Sequence, residues 1–296
     1  MSDWENAGID KESVKQAVDD FVAKKEAETL YTDKDVEMWA RRKVGNNSKI
    51  CCLVYGSDGC GKTGVVFDYL TDADVKAGYS LWVVDLDGGG LPLKESYHKS
   101  KGDKLVVIDP LVTFENTDGT QIDYLKTFAK IRAVIRYVNT HYEKDKIKGI
   151  VFDGLSSALT FAEQQMRLEK NIDTDGGVQT RYWLMRNKLF LETLEQIKVL
   201  PIAKFFIAHE NFIVGDDPNK KVSSVVAKTN ALMIQKINCK RVAMPNTVEF
   251  FATIDKSKYD VRSEGQRIKF CEVDKTKKSY KWQTTELFTL LEGGVK

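Results

Sequence analysis

Short apolar runs alternate with amphipathic stretches through most of the chain. The first run, residues 50–55, is apolar and β-branched without polar alternation, which is typical of a strand buried on both faces of a parallel sheet. Further strands are predicted at residues 80–86, 104–108, 149–153 and 203–208, and helices at residues 121–141, 155–169 and 181–197. Strand and helix in alternation predict an α/β fold, with a mainly parallel sheet flanked by helices.

The two ends of the chain depart from this pattern. Apolar residues at helical spacing predict a small helical extension over residues 1–47, while the stretch from Phe212 to Lys240 looks loop-rich. Residues 247–254 and 267–273 are predicted to pair as a hairpin, followed by a basic turn and a short strand at residues 280–282. We therefore expect an N-terminal extension (1–47), an α/β core (48–240) and a β-rich C-terminal extension of that core (241–296).

A phosphate-binding loop is predicted directly after the first strand, where GSDGCGKT fits the pattern G-x-x-x-x-G-K-[ST]. Its glycines let consecutive N–H groups turn toward an anion, and the following helix points its positive end at the same place. Lys62 would reach the β- and γ-phosphates, and the Thr63 hydroxyl would hold Mg²⁺. The predicted nucleotide contacts are Gly56, Ser57, Asp58, Gly59, Cys60, Gly61, Lys62, Thr63 and Gly64. A chance glycine-rich turn is the alternative, disfavoured because strand, loop and helix come in the required order.

The strand at residues 149–153 is an apolar run that ends in Asp153, which is the form of a Walker B motif. An acid at this place would bind Mg²⁺ through water or hold Thr63. ATP and Mg²⁺ are therefore the predicted cofactors. A strand that merely ends in aspartate at a turn is the alternative.

Composition narrows the class of protein. The chain has 296 residues with 42% apolar and 30% charged content, no apolar run of membrane-spanning length and an acidic start without signal-peptide character. A cytosolic protein without membrane contact is expected. The five cysteines show no C-x-x-C spacing, which predicts reduced thiols, and Cys60 in the phosphate loop is expected to be open to alkylation without nucleotide.

Charge is distributed unevenly although the net charge is only +2. Residues 1–40 carry eleven acids and five bases, whereas residues 236–281 carry twelve bases and six acids. The basic part would suit nucleic acid or the acidic end of another copy. Aromatic and basic residues interleave from Phe250 to Trp282, which would suit stacking on unpaired bases, or would form an amphipathic hairpin.

The order of these parts resembles the RecA-type ATPase core, and in particular the small phage RecA-like ATPases of the Sak-type single-strand annealing group. The resemblance covers about residues 48–280 and rests on GSDGCGKT, WVVDLDGG, KLVVIDP with the helix after it, GIVFDGLSSAL and KFFIAHEN. It implies a RecA-like P-loop NTPase core with a catalytic carboxylate after the second strand. Asp87 matches that position, and Asp85 is the alternative.

Two departures from the family pattern bear on the reaction. RecA itself has glutamate where this chain has Asp87, so the attacking water would sit closer or be reached through a second water. Many related ATPases place glutamate directly after the Walker B aspartate, where this chain has Gly154. A base must come from elsewhere, which favours Asp87.

The resemblance also implies roles for one histidine and two groups of lysines. His209 matches the polar residue at the tip of the strand between the two Walker strands, where it would contact the γ-phosphate and relay nucleotide state, unless it merely caps the strand. The implied DNA contacts are Lys220, Lys221 and Lys228, and the implied residues that reach a neighbouring subunit's nucleotide are Lys275, Lys277 and Lys278. Lysines at a solvated hairpin tip are the alternative interpretation of these positions.

The function implied is a Mg²⁺-dependent ATPase stimulated by single-stranded DNA, which assembles as a homo-oligomeric ring or filament and assists recombination, annealing or repair. A single-strand-binding protein is a further candidate partner, and the host cytoplasm is the expected location if the chain is phage-encoded. Two alternatives stay open: a nucleotide-gated assembly protein or helicase loader with slow hydrolysis, and a motor such as a helicase or packaging ATPase. A P-loop kinase is disfavoured because no arginine-rich lid follows the core.

Overall fold

The structure is a computed structural model that describes residues 50–114, 121–173, 176–210, 229, 232–277 and 279–293. Its strands are β1 (Cys51–Gly56), β2 (Ser80–Asp85), β3 (Leu105–Ile108), β4 (Ile147–Asp153), β5 (Ala203–His209), β6 (Gln235–Ala243), β7 (Thr247–Ser257), β8 (Arg267–Asp274) and β9 (Ser279–Trp282). Within the described residues these strands form one sheet in the order β3-β2-β4-β5-β1-β6-β7-β8-β9.

The sheet is parallel at one end and antiparallel at the other. Strands β1 to β6 pair in parallel, and β7, β8 and β9 continue the sheet as antiparallel strands. The predicted α/β class with a mainly parallel sheet is confirmed, as is the pairing of the two C-terminal strands into a hairpin.

Helices cover both faces of the parallel part. They are α1 (Lys62–Phe67), α2 (Asp72–Lys76), α3 (Gly90–Tyr97), α4 (Tyr124–His141), α5 (Leu155–Glu169), α6 (Thr180–Lys198) and α7 (Thr285–Leu291). On one face α4, α5 and α6 bury residues such as Phe128, Leu159 and Phe190. On the other face α1 and α7 contribute Val66 and Leu287 to a second apolar cluster. None of the helices in the described part of the chain is long and apolar enough to cross a membrane.

A capping side chain determines where the longest predicted helix of the core begins. The apolar periodicity predicts a helix over residues 121–141, and α4 begins three residues later at Tyr124. Asp123 is the N-cap, and its side chain accepts a hydrogen bond from the Lys126 N–H. A carboxylate in this position satisfies one of the backbone donors that a helix start leaves open, so the helix begins after it.

The prediction of a loop-rich stretch up to Lys240 is wrong at its end, because β6 begins at Gln235 and pairs in parallel with β1. Two of the inward positions of this strand are occupied by a glutamine and a cysteine. The alternation of apolar residues that marks a strand is therefore not visible in the sequence. Gln235 is fully buried, accepts from the Cys51 N–H at 3.0 Å and donates to the Leu291 carbonyl at 2.8 Å. One buried amide thereby joins β1, β6 and α7.

Some predicted features fall outside the described residues. They are the helical extension over residues 1–47 and the lysines Lys220, Lys221, Lys228 and Lys278. In contrast, α3 and α7 are described helices that the sequence pattern did not indicate.

The parallel register brings the carboxyl ends of four strands to one edge of the sheet. Gly56 at the end of β1 lies opposite His209 at the end of β5, and Asp85 of β2 lies opposite Asp153 of β4. β5 lies between β1 and β4, as the resemblance implies for the strand that ends in His209. In open α/β sheets this edge is where ligands bind.

A buried histidine lies behind this edge. His98 follows α3, is 2% exposed, and packs against the Phe67 ring at 5.6 Å and the Trp282 ring at 4.9 Å between centroids. Burial, with a smaller contribution from Lys101, lowers the pKa of His98 from 6.5 to about 4. The folded protein therefore holds this imidazole neutral.

This depressed pKa predicts a pH dependence of stability. Between about pH 6.5 and pH 4 the unfolded chain binds a proton at His98 that the folded chain does not, so the contribution of His98 to the free energy of unfolding should fall as the pH falls. Asp153, whose pKa is raised, contributes in the opposite sense, but it does so in the wild type and the variant alike. The His98 contribution should amount to about 2 kcal/mol between pH 7 and pH 5. Urea denaturation of the wild type and of His98→Phe, which keeps a ring in the same place, measures it. An equally steep pH dependence in the variant would contradict the assignment.

Candidate functional site

The phosphate-loop motif forms the connection between β1 and α1. Gly59 and Gly61 have φ values of 68° and 84°, in the left-handed region that favours glycine, and Gly61 is the N-cap of α1. The Lys62 side chain is buried below the loop, where Nζ donates to the carbonyls of Gly56 at 3.1 Å and Ser57 at 2.9 Å. A left-handed glycine loop over a buried ammonium group is a concave site for an anion.

The loop is joined to β4 by a hydrogen bond between side chains. Thr63 Oγ1 donates to Asp153 Oδ2 at 2.7 Å, and Asp153 is 4% exposed. Burial raises the pKa of Asp153 to about 7, the Thr63 hydrogen bond opposes that rise, and the carboxylates of Asp87 and Asp85 add to it. A positive charge placed next to a buried carboxyl group in such surroundings would stabilise its ionised form.

The donor set at this point fits Mg²⁺. Within the described residues, no group of three or more His, Cys, Asp or Glu residues is placed to hold a metal ion. Mg²⁺ in nucleotide sites commonly takes only one or two protein oxygens and completes its octahedron with phosphate oxygens and water. The Thr63 hydroxyl and the Asp153 carboxylate are oxygen donors of this kind.

Asp87 lies beyond the end of β2 and is held by two hydrogen bonds. Its Oδ1 accepts from Ser157 Oγ at 2.6 Å, and its Oδ2 lies 2.9 Å from His209 Nε2. His209 Nδ1 lies 2.5 Å from Asp58 Oδ1 in the phosphate loop. Since both partners of the ring are carboxylates, which only accept when ionised, the network assigns His209 as the doubly protonated imidazolium.

The ionisation of this cluster agrees with its geometry. The hydrogen bond to Asp87 raises the pKa of His209 above its usual value, against the effect of partial burial. Partial burial alone would raise the pKa of Asp87, but the hydrogen bonds from His209 and Ser157 outweigh it and lower the pKa below its usual value. Asp87 is thus an ionised carboxylate with lone pairs left to accept from water.

Asp85, the alternative to Asp87, has a different task. It is 3% exposed, and its two oxygens accept from the N–H groups of Gly88 at 2.9 Å and Gly90 at 2.7 Å. Both oxygens are therefore engaged in closing the turn that presents Asp87. The geometry favours Asp87 over Asp85 as the carboxylate that meets a ligand.

Gly154 occupies its position for a steric reason. It caps α5 with φ 98°, and a Cβ atom there would lie 2.6 Å from Asp87 Oδ1 and 2.9 Å from Leu86 Cβ. A side chain at residue 154 would displace Asp87. The glutamate that many related ATPases carry after the Walker B aspartate is incompatible with this arrangement.

The phosphate loop, Asp87, Asp153 and His209 line one cavity of about 450 Å³, within the range of ligand-binding pockets. Aromatic side chains from α3 and the antiparallel strands line the same cavity. The expectation that Cys60 is open to alkylation is wrong. Its side chain is fully buried, with Sγ 4.0 Å from Lys62 Nζ.

Lys275 and Lys277, two of the three lysines implied to act on a neighbouring subunit, follow the end of β8. Lys275 Nζ donates to the carbonyls of Met244 at 2.5 Å and Pro245 at 3.3 Å. Lys277 lies 3.8 Å from Asp274 with a 79% exposed side chain. Neither lines the cavity of its own chain.

Sequence reasoning missed two sets of residues at the site. One is Ser157, in the first turn of α5, which hydrogen-bonds Asp87. In the sequence it is the second serine of GLSSAL, and nothing in that segment indicates Asp87 as its partner. Phe250, Tyr280 and Trp282 belong to the stretch interpreted as a stacking surface for unpaired bases. The structure places these three rings at the cavity, a position that the sequence pattern did not indicate.

Comparison with known proteins adds little to what the geometry of the site indicates about function. No protein-family model matches the chain, and no curated protein matches it. A solved RadB recombinase is 15% identical, with 76% of this chain and 87% of that chain covered and a TM-score of 0.44. A KaiC-like protein from Pyrococcus horikoshii OT3 is 13% identical, with 75% and 86% covered and a TM-score of 0.42. Neither likeness is close enough to carry an argument about function.

The contact between Gly154 and Asp87 predicts the effect of a small substitution. Gly265 is a matched control, with φ 82° and nothing within 4 Å of the place that a Cβ atom would take. Gly265→Ala should lower the free energy of unfolding by about 1–2 kcal/mol through left-handed strain alone. Gly154→Ala should cost clearly more, because the same strain is joined by the collision with Asp87 and Leu86. Urea denaturation of both variants measures the difference, and equal losses would contradict the steric account.

Proposed function

We propose that this protein is a Mg²⁺-dependent ATPase of the RecA type. The observation that carries the proposal is the 2.7 Å hydrogen bond from Thr63 to Asp153, which joins the phosphate loop to the end of β4. Asp87 and His209 face the same cavity from β2 and β5. Phosphate binding, metal binding and a carboxylate for water are thereby combined in one site.

Each side chain of the site has its own role in the proposed reaction. The loop amides and Lys62 hold the phosphates, with the ammonium group directed at the β- and γ-phosphates. Thr63 and Asp153 would hold Mg²⁺, and the ion would supply positive charge against the charge that develops on the phosphate oxygens. Asp87 accepts a hydrogen bond from the attacking water and orients it for in-line attack. The His209 imidazolium has its two N–H groups on Asp87 and Asp58, so it would contact the γ-phosphate by exchanging its hydrogen bond to Asp58, and it would signal that exchange to the residues after β5.

Asp87 is better suited to orient water than to take its proton in the ground state. Hydrogen bonds from His209 and Ser157 lower its pKa, so the carboxylate is a weaker base than an isolated aspartate. This observation favours slow turnover. It supports a second candidate function, a nucleotide-gated assembly protein or helicase loader in which ATP acts mainly as a switch.

We further propose that single-stranded DNA stimulates the ATPase and that the protein assembles on it as a homo-oligomer in recombination, annealing or repair, as in the Sak-type group. Support comes from the sequence: the resemblance in motif order and the excess of bases over acids in residues 236–281. The proposed DNA contacts are Lys220, Lys221 and Lys228, and the proposed contacts to a neighbour's nucleotide are Lys275, Lys277 and Lys278. A single-strand-binding protein would be a partner on the same DNA.

Two substitutions test the ATPase assignment. Lys62→Ala should abolish hydrolysis, because it removes the ammonium group at the β- and γ-phosphates. Asp87→Asn should keep ATP binding but lower the turnover number by about 10²–10⁴-fold, because the amide lacks one acceptor oxygen and all basicity. Steady-state phosphate release and equilibrium binding of ATP measure the two effects separately.

Asp145→Asn serves as the control, since Asp145 precedes β4 at the opposite edge of the sheet and its side chain accepts a hydrogen bond from the exposed Tyr137 hydroxyl at 2.7 Å. It should hydrolyse ATP at the wild-type rate. Full turnover by Asp87→Asn would remove Asp87 from the reaction.

The DNA proposal is tested by ATP hydrolysis with and without single-stranded DNA, with Lys62→Ala as the blank. A rise in rate on adding DNA is expected, since DNA bound after β5 would reach the γ-phosphate end of the site through His209. A low rate that is indifferent to DNA, despite nucleotide binding, would contradict DNA stimulation and favour the nucleotide-gated assembly protein.

A further inference from the structure

Four rings line the cavity together with the phosphate loop, and we call them the aromatic wall: Tyr97, Phe250, Tyr280 and Trp282. Tyr97 is the last residue of α3, and Tyr280 and Trp282 lie on β9. The Tyr97 and Tyr280 hydroxyls are hydrogen-bonded at 2.9 Å, and their ring centroids are 4.1 Å apart. The wall therefore joins two segments that are far apart in the chain.

The wall is continuous with the phosphate loop. A Cβ atom on Gly64 would lie 2.5 Å from the Trp282 ring, so the indole rests directly on the first turn of α1. Phe250 lies close to Gly61 in the same way, since a Cβ atom there would be 3.1 Å from its ring. Glycine at residue 64 is required here by close approach, which shows that the wall and the loop are packed as one unit.

The polar residues of the cavity fix the direction of a bound nucleotide. In a loop of this kind the lysine, here Lys62, contacts the β- and γ-phosphates. Asp87 and His209 are proposed to lie at the γ-phosphate. The loop backbone holds the α- and β-phosphates. The nucleoside must then leave the loop on the side away from Asp87. Gly64, which follows Thr63, contacts Trp282 of β9. In the sheet β9 lies on the other side of β1 from β2, the strand that precedes Asp87.

The rings of the aromatic wall remain open to a ligand. Tyr97 and Tyr280 are each 41% exposed although they contact each other. Trp282 is half-buried and stacks on the core residue Phe270 with an interplanar angle of 11°, which fixes its orientation. Its Nε1 is buried without a hydrogen-bond partner among the described residues. Fixed rings with open faces are suited to flat, apolar ligand groups.

We propose that the aromatic wall binds the nucleobase of the nucleoside triphosphate by stacking, so that one chain supplies both the phosphate loop and the base platform. The inference rests on the proposed nucleotide binding at Lys62 and adds where the base lies and which forces hold it. Stacking on an aromatic ring favours no single base through hydrogen bonds. The site thereby gains affinity for a nucleoside triphosphate over the bare triphosphate group.

The test compares two probes, ATP and inorganic tripolyphosphate, each with Mg²⁺, by isothermal titration calorimetry on the full chain. The variant is Tyr97→Ala/Tyr280→Ala, which leaves the packed Trp282 in place. Tyr280→Phe keeps the ring and should therefore bind ATP more tightly than the double variant does. Tyr79→Ala is the matched control, because Tyr79 is also 41% exposed but precedes β2 at the opposite edge of the sheet.

The double variant should bind ATP about 5- to 150-fold more weakly, the range that corresponds to one stacked base, and should bind tripolyphosphate with unchanged affinity. Unchanged ATP affinity in the double variant would overturn the inference, and weaker ATP binding by Lys62→Ala in the same experiment would leave the nucleotide site itself standing. Equal loss of both probes would also overturn it, since the rings would then support the loop rather than a base.

Two further outcomes separate this inference from the proposals before it. If the double variant bound ATP normally but lost affinity for single-stranded DNA, the wall would be a nucleic-acid surface, and the inference would be overturned. If Lys62→Ala bound both probes as the wild type does, the proposed nucleotide site would fail, and the inference would fall with it.

Discussion

The hydrogen bond between Thr63 and Asp153 is the contact on which the site depends. It joins a loop after β1 to the end of β4, although β5 separates the two strands in the sheet. Such a bond forms only if the register of both strand pairs is kept, because a shift of one residue turns Asp153 to the other face. The buried sheet therefore determines a distance between two side chains at its edge.

A second layer of contacts holds Asp87, the candidate catalytic carboxylate, in place. Asp85 closes the turn that carries Asp87, Ser157 and His209 hold its two oxygens, and Gly154 leaves the space it occupies. These residues come from β2, α5, β5 and the loop before α5. Preorganisation of this kind keeps a carboxylate oriented before the substrate arrives, so less reordering is needed in the transition state.

The sequence predicted the strands and loops that are determined by residues close together in the chain. The apolar runs indicated β1 to β5, and the strand-loop-helix order indicated the loop from Gly56 to Thr63. It did not predict β6, because Gln235 and Cys239 occupy inward positions where aliphatic residues are usual. Nor could it assign Ser157 or Tyr280, whose partners Asp87 and Tyr97 lie far away in the chain. Pairings of that kind are set by tertiary packing and leave no periodic trace.

The position of Trp282 against Gly64 has a consequence for how the protein is made. A ribosome releases the phosphate loop before β9, with all of β2 to β8 between them. Until β9 emerges, one side of the cavity has no wall, and the first turn of α1 lacks its indole cover. Domains generally fold as units during synthesis. While β2 to β8 are being made, the growing chain thus carries a phosphate motif without a complete pocket around it.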